Sequence, residues 1–237
     1  MHRYHCDAGR HRAGARFHVK GAQPSARVIS DFHRNDGNVT VCQQSAWGYA
    51  SMRIVERKVL FEGWTKFLAV TLQQPDGRST ERAVLDHGAS VCVLPYDPER
   101  RLALIVCQTR IPLVYLGCRE QLMEAIAGRV EDEQPPEAVR REAMEEAGLR
   151  IRDLGFVATC WSSPGVSTER FHLYLAPYSL DDRIGNGGGR ADEFEDITVR
   201  EVALSELAQL VDKGLLTDTK SFLLVQTLRL RRPDLFD

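Results

Sequence analysis

Five carboxylates and two guanidinium groups fall within fourteen residues of this chain. From Glu133 to Leu149 it reads EQPPEAVRREAMEEAGL. Pro135 and Pro136 suit the first turn of a helix, where a missing N–H costs little. Gly148 suits a left-handed stop. Between them Val139, Ala143 and Ala147 recur every fourth residue as a buried stripe, with Ala138 and Met144 beside it. At 100° per residue, Glu142, Glu145 and Glu146 share an arc of about 100° next to that stripe. A helix C-terminus already carries partial negative charge, so three acids stand at the unfavourable end. Left unpaired they would repel one another and raise their pKa values. A divalent cation removes the conflict, and an all-oxygen ligand set favours Mg²⁺ or Mn²⁺. Arg141 follows Glu137 by four residues and is expected to tie the helix to its preceding loop. The competing reading is a solvated acidic face. The preceding AIAGRVEDE weighs against it, because it adds a glycine turn and another acid, Glu133.

These residues resemble the Nudix box, whose pattern is G-x5-E-x7-R-E-U-x-E-E-x-G-U with U apolar. Glu133, Arg141, Glu142, Ala143, Glu145, Glu146, Gly148 and Leu149 fall in place. Two details depart from it: Gly128 stands one residue closer to the helix than the pattern places it, and Ala fills the apolar position after Glu142. The likeness extends from about Met52 to Phe236. It is to the subgroup that contains ADP-ribose pyrophosphatase and GDP-mannose pyrophosphatase, and it runs through FEGW, VLPYDPER, QTRIP, LMEAIAG, SSPGVSTER and ADEFEDITV.

That resemblance implies an α/β/α sandwich with a mixed sheet, Mg²⁺ as cofactor, and hydrolysis of a nucleoside diphosphate linked to another group. It also implies a homodimer with swapped N-terminal strands. Glu142 and Glu146 would be metal ligands, Glu145 a ligand or a ligand's partner, and the carbonyl of Ala127 a further ligand. A base must lie outside that set, since ligated carboxylates are poor bases. The loop GNGGGRADEFED offers Asp192, Glu193, Glu195 and Asp196 on a glycine-rich, mobile segment, and the resemblance selects Glu193. With Arg141 and Glu145 it makes up the expected catalytic group. The expected substrate contacts are Arg110, Glu124, Pro164 and Glu169, with Trp64 stacking on a base held by the partner subunit and Arg82 near the same base. ADP-ribose is the first candidate substrate, cleaved to AMP and ribose 5-phosphate. GDP-mannose is the alternative, because the shortened loop before the helix resembles that branch. A non-catalytic nucleotide-sensing module is disfavoured, since such modules usually lose helix glutamates.

The rest of the chain must position these groups. Its 237 residues are 43% hydrophobic and 27% charged with a formal net charge of −2. That supplies a core and gives no reason to expect nucleic acid or a membrane as partner. Six cysteines show no CxxC pairing and read as free thiols of a cytosolic protein. KFLAVTLQQ and ERAVLD read as strands around the turn PDG. ASVCVLPYDPERRLALIVCQTR reads as two strands, QLMEAIAG as one short strand, and LGFVATCW, RFHLYLAPY and ITVREVAL as three more. Helices are expected from Ser205 and near TKSFLLVQTLRLRR. This alternation predicts one α/β domain over residues 52–237.

Residues 1–51 differ. They hold five of the seven histidines and seven Lys or Arg against three Asp, and their apolar residues follow no period. They are expected to be a disordered, dispensable extension ahead of a true start at Met52. A chain beginning at Met52 should therefore keep its Tm and kcat; a large loss of either would show that the extension belongs to the fold.

Overall fold

The computed structural model describes residues 51–190 and 196–237, so the extension expected over residues 1–51 lies outside the described residues except for Ser51. Residues 51–237 form one compact unit. Its main sheet contains β4 (Ala89–Asp97), β5 (Leu102–Gln108), β6 (Leu122–Glu124), β7 (Ile126–Arg129), β8 (Gly155–Trp161), β9 (Arg170–Pro177) and β10 (Thr198–Ala203). The path is β10-β5-β4-β9-β8, with β6 added to β5 and β7 to β4. β4 and β9 run parallel and the other pairs are antiparallel, so the sheet is mixed, as expected.

Strand periodicity sorts the core onto two faces. Val91, Val93, Leu104 and Val106 pack with Ala138, Val139, Ala143 and Ala147 of α2 (Pro135–Ala147). Cys92, Leu94, Ala103 and Ile105 point the other way. They meet Leu207 and Val211 of α3 (Leu204–Asp212) and Leu224, Val225 and Leu228 of α4 (Thr219–Arg231). Successive side chains of β4 and β5 thus serve opposite layers, which is how two short strands support helices on both sides.

The sheet opens in its middle. β4 and β5 pair only at Tyr96–Ala103 and Asp97–Leu102. Beyond that point β5 turns to β6 and β4 to β7. The sequence reading took QLMEAIAG as one strand; it is two, broken at Ala125, because each half follows a different neighbour. The break leaves the Ala125 N–H without a strand partner, and Ser221 Oγ at the start of α4 accepts it at 2.6 Å.

A separate three-stranded antiparallel sheet joins β1 (Arg53–Glu62), β2 (Lys66–Gln73) and β3 (Ser79–Asp86). The β2–β3 hairpin follows the sequence reading, but that reading began the strands at KFLAV and missed β1. Two register irregularities, between Ile54 and Glu56 and between Val59 and Phe61, break its alternation and hide the period of two. β3 meets the main body where Leu85 N–H donates to Val166 O at 2.7 Å and Thr168 N–H to Leu85 O at 3.0 Å. A short helix at Ile111–Tyr115, labelled α1, was also missed; five residues are too few for a helical period to declare itself.

Among the described residues no helix is long and apolar enough to cross a membrane. Cys92, Cys107, Cys118 and Cys160 are free thiols, consistent with the sequence reading.

Candidate metal and hydrolytic site

α2 is built by local signals. Gln134 and Glu137 form a reciprocal capping box at its start, with prolines in the first turn, and Gly148 ends it at φ 60°. The expected ion pair between Glu137 and Arg141 is not made. Glu137 is committed to the cap, where its carboxylate accepts the Gln134 N–H at 3.2 Å. Arg141 turns to the acids that crowd the helix end. Its Nη1 donates to Glu142 at 2.8 Å and to Glu145 at 3.1 Å. Its Nη2 donates to Glu133 and to the Arg129 carbonyl, both at 2.9 Å. Burial works against this guanidinium's charge, but the bonds to Glu133 and Glu142 outweigh it and hold its pKa above the usual value. The same contact keeps the Glu133 carboxyl below the ordinary range. The loop that is one residue short therefore still delivers Glu133 to Arg141.

The helix end is neutralised a second way. Gly188 N–H donates to Glu146 O at 2.9 Å and Gly189 N–H to Glu145 O at 3.1 Å. Ile184 and Gly185 N–H groups both reach Gly148 O, at 2.9 and 3.0 Å. Orphan carbonyls at a helix C-terminus thus find donors in the glycine-rich loop. Gly187 sits at φ 68°, and a Cβ there would collide with the Glu146 carbonyl. In the loop expected to be mobile, Gly185, Gly188 and Gly189 thus form a clasp on the end of α2. Glu193, Asp192 and Glu195 fall outside the described residues.

Glu146 is 2% exposed and its Oε2 accepts the Ala127 N–H at 3.2 Å. Glu142 lies against Gly128, where any Cβ would overlap its carboxylate. The two acids, one helical turn apart, therefore flank the β7 backbone at Ala127–Gly128. On the other side of Ala127, Glu124 is 1% exposed and both its oxygens are engaged. Arg110 Nε and Nη2 donate to it at 2.6 and 3.0 Å, and Lys220 Nζ donates at 2.9 Å. Arg110 and Glu124 are thus brought together as one bidentate pair. Glu124, expected as a substrate contact, does not face solvent: it is buried beneath Arg110.

Trp64 and Glu169 lie near Arg129, at the end of β7. Trp64 is 70% exposed and so is not a core tryptophan. Its ring meets His87 edge-on at 4.8 Å and carries the Arg129 guanidinium at 5.2 Å. Glu169 accepts from Ser90 Oγ at 2.8 Å and lies 3.5 Å from His87 Nδ1. Burial lowers the His87 pKa despite the pull of Glu169. Pro164 is exposed on the loop before Glu169. Arg82 is not brought to this cluster: it is exposed on β3 and donates to Thr80 Oγ1 and the Glu81 carbonyl.

A NUDIX domain is matched over residues 86–224. The chain belongs to the Nudix family. This Nudix chain is 34% identical over 186 residues to a GDP-mannose pyrophosphatase of Cronobacter sakazakii, covering 76% of this chain and 96% of that one. A GDP-mannose pyrophosphatase of Pectobacterium atrosepticum is 34% identical over 179 residues, covering 73% and 91%. A solved structure described as a crystal structure of ADP compounds hydrolase superposes with a TM-score of 0.63 at 14% identity, over 80% of this chain and 98% of that one. That last likeness speaks for the fold alone.

Does the Nudix site suit a cation? Among the described residues no three acidic, histidine or cysteine side chains converge closely enough to hold one unaided. Arg141 holds Glu142 and Glu145 in ion pairs. The donors themselves fit a hard cation: two carboxylates one turn apart on a fixed helix end, beside the backbone of Ala127. Glu146→Gln keeps an acceptor for the Ala127 N–H and removes one buried charge. Its Tm should hold or rise, while hydrolysis falls by at least about 10²-fold. Near-normal turnover at saturating Mg²⁺ would exclude Glu146 as a ligand.

Proposed function

We propose that this chain is a Mg²⁺-dependent hydrolase that cleaves the pyrophosphate bond of a nucleoside diphosphate sugar, yielding a nucleoside monophosphate and a sugar phosphate. The observation that carries the reading is the acidic face of α2, held by Arg141 and the glycine clasp against Ala127 and Gly128. Nudix hydrolases generally use a divalent metal. Glu142, Glu146 and the carbonyl of Ala127 would hold Mg²⁺, with Mn²⁺ able to substitute, and Glu145 would support them. Bound there, the metal neutralises phosphate oxygens and lowers the pKa of a water.

The chain's own groups do the rest. Arg110 presents a guanidinium, 40% exposed and oriented by Glu124, to a phosphate. Glu193 takes the water's proton as the bond from phosphorus to the bridging oxygen breaks. Its described flanks support that assignment: Gly189 is bonded to α2 and Ile197 is buried in the α2-side core. Trp64, exposed beside Arg129, offers a face to the nucleobase, with Glu169 and Pro164 at the sugar-phosphate end.

Two substrates fit. GDP-mannose is favoured by the names of the curated relatives and by the shortened loop before α2. ADP-ribose is the reading that ADEFEDI suggested. The working form is a homodimer, and the support is β1: Ile54 48%, Val55 47%, Val59 51%, Leu60 51% and Phe61 61% exposed on one strand. Apolar groups on both faces of a strand call for a partner. Arg82, isolated from its own site, would then serve the partner's. Free thiols among the described residues and a formal net charge of −2 support a cytoplasmic enzyme without nucleic acid or membrane as partner.

Purified protein with Mg²⁺ and a panel of nucleoside diphosphate sugars tests the activity, with phosphate measured after phosphatase treatment. GDP-mannose and ADP-ribose should head the panel; no release from any member would overturn the reading. Glu193→Gln should lower kcat roughly 10²- to 10⁴-fold with little change in KM, and Glu195→Gln should cost far less. If Glu195→Gln is instead the crippled variant, the base is misassigned. Mixing Glu146→Gln with Trp64→Ala subunits should regenerate one intact site per mixed dimer. No recovery in verified mixed dimers would place each site within one chain.

A further inference from the structure

The N-terminus of α4 carries a set of groups that the sequence reading passed over and the hydrolytic roles above leave unused. Asp218 caps the helix, its Oδ2 accepting from Ser221 N–H at 2.9 Å and Ser221 Oγ at 2.6 Å. Ser221 Oγ in turn accepts the Ala125 N–H at the break between β6 and β7. Lys220 sends its ammonium the other way, to Asp218 Oδ1 at 2.6 Å and Glu124 Oε2 at 2.9 Å. Its side chain is only 12% exposed, and the ammonium lies 5.6 Å from the Phe171 ring centroid. A buried lysine is costly, and here it is matched: Arg110 and Lys220 stand against Glu124 and Asp218, two charges of each sign.

The pairing has a direction. Glu124 grips Arg110 through Nε and Nη2. Among the described residues no hydrogen bond is recorded at Nη1, the corner of the guanidinium left for a ligand. Without Lys220, Glu124 and Asp218 would be two buried carboxylates sharing one cation. Their mutual repulsion, and the need for charge at Glu124, would pull Arg110 inward or disorder the pair. Meanwhile Ser221 fixes the backbone one residue beyond Glu124 and two before Ala127.

We propose that Lys220 is a positioning residue of the site: with Asp218 behind it, its ammonium holds Glu124 in place and thereby sets the guanidinium of Arg110 toward the substrate's phosphate. The proposal rests on the pyrophosphatase reading and adds to it a helix residue that lies 96 positions after Glu124 in the chain. Lys220 touches neither substrate nor metal in this account; it acts through Arg110.

A double-mutant cycle tests it. Arg110→Ala should lower kcat/KM roughly 10²-fold, chiefly through KM. Lys220→Met should lower kcat/KM by about 10-fold or more, again through KM, with the Mg²⁺ concentration for half-maximal rate unchanged. Lys220→Arg, which keeps the charge, should recover most of the loss. The double variant should be no worse than Arg110→Ala alone, within about threefold. If Lys220→Met does not fold, the cycle is run on Asp218→Asn/Lys220→Met, which removes one charge of each sign and leaves Asn as a competent helix cap. Independent, multiplicative losses from an active parent would overturn the positioning role and leave the hydrolase reading intact. A shift in the Mg²⁺ requirement equal to the loss in rate would overturn it too, since that marks general damage to the site. A wild-type enzyme that cleaves no nucleoside diphosphate sugar would instead overturn the reading beneath it.

Discussion

Everything at this site depends on keeping several carboxylates at the end of a helix whose own dipole opposes them. Two devices do it, and they act on different atoms. Arg141 takes the side chains, bonding Glu133, Glu142 and Glu145 at once and anchoring itself on the Arg129 carbonyl. The glycine clasp takes the main chain, giving N–H donors to the carbonyls of Glu145, Glu146 and Gly148. Neither suffices alone. Without Arg141 the acids repel; without the clasp the helix end adds its own negative charge to theirs. Together they hold the acidic face of α2 in place.

The opening of the sheet is the second constraint. A continuous β4–β5 ladder would leave no room for acids between the strands. By splitting, the sheet exposes a strand break to α2 on one layer and to the start of α4 on the other. Glu146 reaches the break at Ala127 and Ser221 reaches it at Ala125. The helices of the two layers, separated everywhere else by the sheet, thus meet within three residues of backbone. Glu124 lies just before these anchors, almost wholly buried and bonded by Arg110 and Lys220.

The small β1–β3 sheet shows a different economy. Its hairpin carries Trp64 to Arg129 and joins the main body through Leu85, while β1 presents apolar side chains to solvent along its length. Such exposed apolar surface on a strand costs free energy.

The sequence by itself determined α2 and the acids it carries. The helix was legible from prolines, a glycine stop and a four-residue apolar repeat, all of which are local. The β2–β3 hairpin and the two sheet-facing strands were legible for the same reason. Met144, expected beside the buried stripe, is instead 36% exposed, because an apolar residue at the edge of a helical arc can fall to either side. What the sequence could not decide was partnership. Arg141 sits four residues from Glu137, yet the cap claims Glu137 and the crowded helix end claims Arg141. The glycines upstream of Glu193 gave no sign of their partners, which are the carbonyls of a helix some forty residues earlier. β1 vanished behind its bulges. Lys220, Asp218 and Ser221 gave no signal, since nothing in a lone lysine near a helix start says that a buried glutamate awaits it. Spacing along the chain specifies which groups share a face; only the fold decides which charge each of them must neutralise.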